Sequence, residues 1–402
     1  MYVPGLRGTG DWGPDERPKN FRETILWLEP DGSAPLTALM GMASSESTDD
    51  PEFSWWEEKQ IQARVQLGAA VADGVATTFT LTPIDEANAN TGGLSLTRGE
   101  YLMVEDPTGI VGATEIVQVT QVNSDTEIVV SRGAQGSTAA AIADASYLTS
   151  IGTGFAEGTP AADAVTKNPT KYRNFCQIWK TSYEITETAK KTRVRTGDPV
   201  KNDKRRKMFD HSVKMENGYI FGRASETTGA NGKPERTTGG ILSFLSTNVT
   251  NFDGTPAFNE DNFIDAVSPV FDYKGSGSSN TRICFAGNLA LTNLNRLARD
   301  SASSRINFDG TVKTFGMELQ KWVLPQGTLL IRTHPLFNTH PVYSKSMLGL
   351  NMKGLIDRPL RATKFEDNIQ LPGDDFEKGQ WLTESGLELQ HEQTHFYLSN
   401  MA

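Results

Sequence analysis

The residues with the most chemical potential in this chain are HEQTH, His391 to His395. They match H-E-x-x-H, in which two histidines hold zinc and the glutamate acts as general base. That chemistry needs a helix, because only helical spacing puts residues four apart on one face. The surrounding pattern has a different period. Leu387, Leu389, His391, Gln393 and His395 alternate with Glu388, Gln390, Glu392, Thr394 and Phe396, after Gly386. Alternation with period two predicts a strand. On a strand the two imidazoles stand about 13 Å apart at about 3.3 Å per residue, too far for one zinc. The other histidines are His211, His334 and His340. The expectation is a chance match on the last strand, with no catalytic, cofactor-binding or metal residues and no cofactor.

Other reactive groups carry less. Cys176 and Cys284 are far apart and follow no metal spacing, so they read as buried thiols in a reducing compartment. There is no GxxxxGK[ST] phosphate loop and no GxSxG elbow. Carboxylate pairs such as Glu57–Glu58 and Asp374–Asp375 are what 49 acids in 402 residues produce by chance. One dense basic cluster, KNDKRRK at Lys201 to Lys207, reads as a solvated helix face or as a contact with nucleic acid or an acidic neighbour, through Arg205 and Arg206. The formal charge of −10 argues against general nucleic-acid binding, which rests on Lys and Arg.

The elements that must position these residues can be read in order. No run of eighteen apolar residues predicts a membrane span, and the first twenty residues lack an apolar signal core. Residues 1–50 are broken by Pro4, Pro14, Pro18, Pro30 and Pro35 and read as an extended arm, with one short helix over Phe21 to Glu29. PEFSWWEEK, Pro51 to Lys59, reads as a strand that sends Trp55 and Trp56 to opposite faces. Residues 61–155 change character. TTFTLT, GEYLMVED, TEIVQVTQV and TEIVVSRG have strand composition between turn signals, which predicts a small all-β module.

A strand region over 168–196 then enters the clearest helix, 198–228. Asp198 is its N-cap, Pro199 its first residue, and Gly229 its stop. Phe209, Val213, Ile220 and Ala224 mark its inner face, interrupted by Glu216. About thirty residues give roughly 45 Å, enough to span a domain. Residues 235–345 read as α/β: a helix capped by Asn259 and shortened at Pro269, a buried strand TRICFAG, a helix NLALTNLNRLAR with Leu294, Leu297 and Ala298 inward, and two strands around Pro325–Gly327. Further strands close the chain.

This order of parts resembles the major capsid proteins of tailed phages with the Hong Kong 97 fold. FRETILWLEPDGSAPLTALMG resembles the arm segment, with Pro30, Pro35 and Gly41. SWWEEK resembles the Trp-bearing strand that opens the extended loop. NFCQIWKTSYEITETA resembles the strand returning from that loop, through Asn174, Cys176, Gln177 and Ile178. KTFGMELQKWVLP, around Phe315–Gly316, resembles the strand-turn-strand of the axial domain, and WLTESGLELQHEQTHFYLSNM resembles the closing strand, with Glu384 and Glu392 in matching places. The departure is 61–155, where a minimal member has a simple hairpin. TEIVVSRGAQGSTAAAIADA resembles small β modules of several virion proteins.

The resemblance implies an α+β capsid fold. Its parts are an N-terminal arm (1–50), an extended loop (51–175) carrying the inserted all-β domain (about 61–155), a peripheral domain with the spine helix (176–235), an axial domain (236–344) and closing peripheral strands (345–402). It implies a non-enzymatic subunit, made in the host cytoplasm, that self-assembles through hexamers and pentamers into an icosahedral virion head. The head would hold double-stranded DNA by weak inner-surface contact. Scaffolding, portal and decoration proteins are admitted as partners, and a membrane is not. Phe21, Trp27, Trp55, Trp56, Arg205 and Arg206 are the expected inter-subunit contacts, since aromatics and arginine enrich interface cores. The competing readings are a decoration or tail component, a cellular compartment shell of the same fold, and a zinc peptidase using HEQTH.

Overall fold

The structure, a computed structural model, describes residues 44–58, 64–82, 92–105, 114–160, 164–166, 168–192, 194, 197–275, 279–300, 308–314 and 317–401. The expected arm helix with Phe21 and Trp27, and the Phe315–Gly316 turn, lie outside these residues. The chain divides into two compact units, Trp55–Tyr172 and a body made of Met1–Ser54 with Arg173–Ala402.

The smaller unit is a barrel. After β1 (Glu52–Glu57) come β2 (Arg64–Gln66), β3 (Thr78–Thr80), β4 (Glu100–Val104), β5 (Ile116–Ser124), β6 (Glu127–Ser131) and β7 (Tyr147–Thr153). Strands β2 to β7 form one sheet in the order β2-β7-β4-β5-β6-β3. A bridge between Leu67 and Leu81 joins its two ends, with the Gly68 N–H donating to the Thr80 carbonyl at 2.9 Å. Closure removes the open edges that a six-stranded sheet otherwise exposes. Alternate residues fill the interior: Val65, Phe79, Leu102, Val117, Val119, Ile128, Val130 and Leu148 are all buried.

One ion pair rivets its loops. The Arg132 guanidinium donates through Nε and Nη2 to the two oxygens of Glu115, each at 2.6 Å, and through Nη1 to the carbonyls of Asp73 and Ala76. The N–H groups of Gly133 and Ala140 also donate to the Glu115 carboxylate. Burial pushes the Glu115 pKa up, but Arg132 and these two amides outweigh it and hold it below the ordinary carboxylate range.

In the body, β8 (Thr170–Phe175) pairs with β1, and β9 (Gln177–Thr186) runs into a short helix, α1 (Glu187–Lys191). The long helix is α2 (Pro199–Phe221). The Asp198 carboxylate caps it, accepting from the N–H groups of Val200 and Lys201 at 2.9 and 3.4 Å. The expected helix to 228 is too long. Its 23 residues give about 35 Å, and Ser225–Thr228 instead forms β10, paired with β11 (Pro234–Thr237). Gly222 ends the helix because a Cβ there would strike the carbonyls of Gly218 and Thr238, and the Gly240 N–H bonds its carbonyl at 2.9 Å.

The expected inner face is also corrected. The buried residues of α2 are His211, Glu216, Tyr219 and Ile220, so Glu216 belongs to the buried face, while Phe209 and Val213 are half-buried and Ala224 lies past the helix end.

Two sheets complete the body, built from β12 (Val249–Asn251), α3 (Glu260–Val267), β13 (Thr281–Ala286), α4 (Asn288–Asp300), β14 (Phe308–Thr314), β15 (Met317–Val323), β16 (Thr328–Thr333), β17 (Met347–Leu350), β18 (Leu355–Glu366), β19 (Phe376–Leu389) and β20 (Phe396–Ser399). The three-stranded antiparallel sheet, β18-β19-β9, carries α2 on one face. His211 sits between the hydroxyls of Thr181 and Thr383, and Tyr219 meets Trp179 edge-on at 6.4 Å. The seven-stranded sheet runs β12-β20-β17-β13-β16-β15-β14, with parallel pairs β13–β16 and β12–β20.

Both faces of the larger sheet are covered, which is why TRICFA reads as one apolar run. Cys284 and Ala286 face a core with α3 and α4, through Phe263, Val267, Ala290 and Leu294. Ile283 and Phe285 face a second core that takes in Tyr219 and Ile220 of α2 and Leu355, Leu387 and Leu389 of β18 and β19. The second core therefore welds the two sheets together. A fully buried polar pair lies beside it: His334 Nε2 donates to Glu216 at 2.7 Å, while its Nδ1 accepts from the Leu336 N–H at 3.2 Å. Helix α3 stops where Pro269 predicts, passing into a 3-10 turn, Ser268–Phe271. Leu294 is buried, Leu297 is half-buried, and the Ala298 side chain lies outside the described residues. Both cysteines are free and buried, and burial pushes the Cys176 thiol up to about 12 and Cys284 further.

The return strand is held by Asn174. Its amide donates to Thr238 Oγ1 (3.2 Å) and to the carbonyls of Gly239 (3.0 Å) and Leu387 (2.6 Å), and its oxygen accepts from the N–H groups of Phe175 (2.8 Å) and Gly239 (2.7 Å). Asn174→Ala is expected to lower body stability by about 2–4 kcal/mol, because buried backbone groups lose their partners; denaturant unfolding followed at the body tryptophans measures it. Glu115→Ala is expected to cost the barrel about 3 kcal/mol by leaving Arg132 buried and unpaired. Hydrogen exchange at β5 and β6 reads that loss, and unchanged protection there would count against the ion pair as the rivet.

Candidate functional site: the HEQTH turn and the contact surfaces

HEQTH does not lie on the closing strand as expected. Strand β19 ends at Leu389, His391 takes a left-handed φ of 53°, Glu392–Thr394 makes one 3-10 turn, and β20 starts at Phe396. The alternation misleads because the turn sits between two strands in almost continuous phase. The helical face that zinc binding requires is not formed either. Several groups of the turn have a structural task. The Glu392 carboxylate accepts from the Ser246 N–H (3.0 Å), the Ser246 hydroxyl (3.2 Å) and the Thr247 N–H (3.4 Å). Asn248 donates to the carbonyls of Gln393 and His395.

His395 is fully buried. Its Nδ1 accepts from the Asn351 N–H and its Nε2 donates to the Gln390 carbonyl, each at 3.2 Å, so no ring lone pair is left for a metal. Among the described residues, no three His, Cys, Asp or Glu side chains are grouped to hold a metal ion.

Burial drives the His395 pKa down to about 3. The unfolded chain therefore takes up this proton at about 6.5 and the folded chain only near the lower value. The stability that His395 supplies is complete above about pH 6.5 and drains away as pH falls. His211, also held low by burial, acts with the same sign. His395→Gln is expected to flatten the acid slope of body stability without abolishing it, as read from denaturation midpoints at about pH 5 and about pH 7. A variant slope as steep as the parent's would show that His395 is not a source of it.

The expected contact residues fall into distinct places. Phe21 and Trp27 lie outside the described residues. Trp55 is only 6% exposed: it stacks on Tyr172 at 6.0 Å, and its Nε1 donates to Glu57 at 2.8 Å. Trp56 is 63% exposed, with the Lys171 ammonium 6.0 Å from its ring centre. Arg205 and Arg206 are exposed on the first half of α2, and Arg206 reaches Asp203 at 3.8 Å. The lysines of that cluster are partly neutralised, Lys204 by Asp367 and Lys207 by Asp210.

Among the exposed apolar side chains of the body that sequence reading missed are Ile178 and Met208, each about half exposed. Ile178 was detectable: it is out of phase with Trp179, Thr181, Tyr183 and Ile185, which face α2. It lines a groove of about 490 Å³ between β9 and the β10–β11 hairpin, with Glu384 on its wall. Exposed apolar side chains and arginines of this kind suit protein contact. Among the described residues, no helix is long and apolar enough to cross a membrane.

A family model described as the SU10 major capsid protein matches residues 7–402. A curated relative, the major capsid protein of Pseudomonas phage PaMx41, is 28% identical over 327 residues, 80% of this chain and 73% of that protein. Among solved structures, the capsid of an empty GTA particle is similar with a TM-score of 0.52 at 10% identity, covering 99% of this chain and 100% of the other. At that identity the likeness speaks for a shared capsid fold alone. The capsid of Myoviridae Phage XM1 is similar over 99% of both chains, at 8% identity and a TM-score of 0.46. With a match that starts at residue 7 and runs to residue 402, the chain belongs to the SU10 major capsid protein family and is a structural subunit of a phage capsid.

Proposed function

We propose that the chain assembles through hexamers and pentamers into an icosahedral head of the Hong Kong 97 type that encloses double-stranded DNA. It would be made in the host cytoplasm before it enters the virion. In this reading 1–50 is the arm, 51–175 the extended loop with its barrel, 176–235 and 345–402 the peripheral domain, and 236–344 the axial domain. The observation that carries the reading is the capsid likeness over 99% of the chain, with α2 lying on a three-stranded sheet beside a separate seven-stranded sheet. Ring contacts are heterologous, so one copy must offer what the next copy covers.

Trp56, Arg205 and Arg206 are the described residues that this role would use. Tyr172 already covers Trp55 within its own chain, which leaves Trp56 as the aromatic of the pair open to a second copy. Light scattering with electron microscopy of the same fractions is expected to give rings of five or six subunits, or closed shells. A strict monomer at every concentration, with and without phage-encoded assembly factors, would sink the proposal. Trp56→Ala is expected to melt like the parent chain and to raise the concentration needed for assembly at least tenfold, the loss of a moderate contact of about 1.4 kcal/mol. Unchanged assembly would remove Trp56 from the interface.

A further inference from the structure

We propose that the Asn231–Gly232 turn of the β10–β11 hairpin is a site of spontaneous deamidation, at which the folded chain turns its own asparagine into aspartate or isoaspartate. The chemistry needs only the folded chain and is independent of the shell reading. Glycine after asparagine favours this reaction, because without a Cβ the following amide nitrogen can approach the side chain unhindered. Two such pairs occur in the sequence, Asn217–Gly218 and Asn231–Gly232. Both asparagines are exposed, so access to water does not separate them. What separates them is the backbone that each sits in.

Asn217 lies inside α2, in its last turns. The next amide nitrogen belongs to the helical ladder, and Gly218 packs so closely on Trp179 that a Cβ there would strike the indole. Closing a succinimide ring at Asn217 would break the helix beside Tyr219 and Ile220, which are buried in the core. Asn231 lies in the hairpin turn, where Ala230 to Glu235 are all exposed. Gly232 takes a left-handed φ of 72° and, among the described residues, nothing lies within 4 Å of where its Cβ would stand. The bond from the Gly232 N–H to the Gly229 carbonyl, at 2.9 Å, has to open, and water can replace it in so exposed a turn. Asn231 Oδ1 already accepts from the Lys233 N–H at 3.1 Å. That donor polarises the side-chain carbonyl and is aimed at the oxygen on which negative charge develops during attack.

Water is the only co-reactant. The Gly232 nitrogen loses its proton to solvent base and attacks Cγ of Asn231. The N–Cγ bond forms, the Cγ–Nδ2 bond breaks, and the side-chain amide leaves as ammonia. Water then opens the succinimide. Breaking the new N–Cγ bond leaves aspartate, whereas breaking the bond from that nitrogen to the Asn231 carbonyl carbon leaves isoaspartate. Either product puts a carboxylate where Asn231 lines the groove between β9 and the hairpin, which Glu235 and Glu384 line as well. The groove around the exposed Ile178 therefore becomes more anionic as the chain ages.

The folded chain would be aged in mildly alkaline water enriched in heavy oxygen, then digested in ordinary water and mapped by mass spectrometry. Heavy oxygen is expected to enter at Asn231, as both aspartate and isoaspartate, at least about tenfold faster than at Asn217, a barrier difference of about 1.4 kcal/mol. Unfolding in denaturant is expected to bring the two rates together, since the helix that protects Asn217 is then lost. The rate at Asn231 is expected to rise with pH, because ring closure needs the Gly232 nitrogen to lose its proton. Asn231→Gln is expected to abolish the more acidic species that isoelectric focusing resolves in the aged parent, and Asn231→Asp to focus with that species from the start. A folded chain that leaves Asn231 unlabelled while the denatured chain labels it, or that labels Asn217 equally fast, would overturn the proposal.

Discussion

The body depends on one buried amide. Chain that leaves at Ser54 re-enters at Arg173, and Asn174 is the first fully buried residue after that return. Both its donors and its acceptor are spent on backbone and hydroxyl groups of Phe175, Thr238, Gly239 and Leu387. Three segments far apart in sequence thereby share one satisfied polar centre. An apolar residue could fill the space but would orphan those buried groups. The neighbourhood has been emptied to let the backbones meet: a Cβ at Gly386 would strike the Phe175 carbonyl and the Phe53 ring.

From that anchor the packing follows. Strand β9 starts beside Asn174 and places Trp179, Thr181 and Tyr183 under α2, and α2 delivers Tyr219 and Ile220 to the core it shares with the larger sheet. The paired Glu216 and His334 lie there with no exposure. The His334 ring is satisfied by Glu216 Oε1 and the Leu336 amide, whereas Glu216 Oε2 is buried with no hydrogen-bond partner among the described residues, so the pair constrains where α2 can sit more than it adds net stability. Such a joint suits a subunit that must hold its shape while forming several different contacts.

The barrel obeys the same physics on a separate account. Its core is almost wholly aliphatic, its edges are closed, and its strongest polar element, Glu115 with Arg132, ties loops rather than strands. Among the described residues, its hydrophobic cluster is drawn from between Val65 and Leu148. Insertion into a capsid fold is tolerable under those conditions, because neither core has to be rebuilt when the other is added.

What the sequence by itself determined was whatever depends on nearest neighbours along the chain. Strand composition between turn signals revealed β5 and β6, and β9 fell within the strand region read over 168–196; Asp198 and Pro199 started α2, and Asn259 and Pro269 bounded α3. The order of these parts was enough to suggest a capsid subunit. Only the tertiary structure decided the features set by distant partners. Glu216 looked like a flaw in an apolar face because its partner, His334, lies 118 residues away. Helix α2 stops at Phe221 because Thr238 comes within reach of Gly222. HEQTH becomes a turn because Ser246, Asn248 and Asn351 hold it there. Local pattern records which face a residue prefers, whereas burial of a polar group is settled by whether the fold brings it a partner.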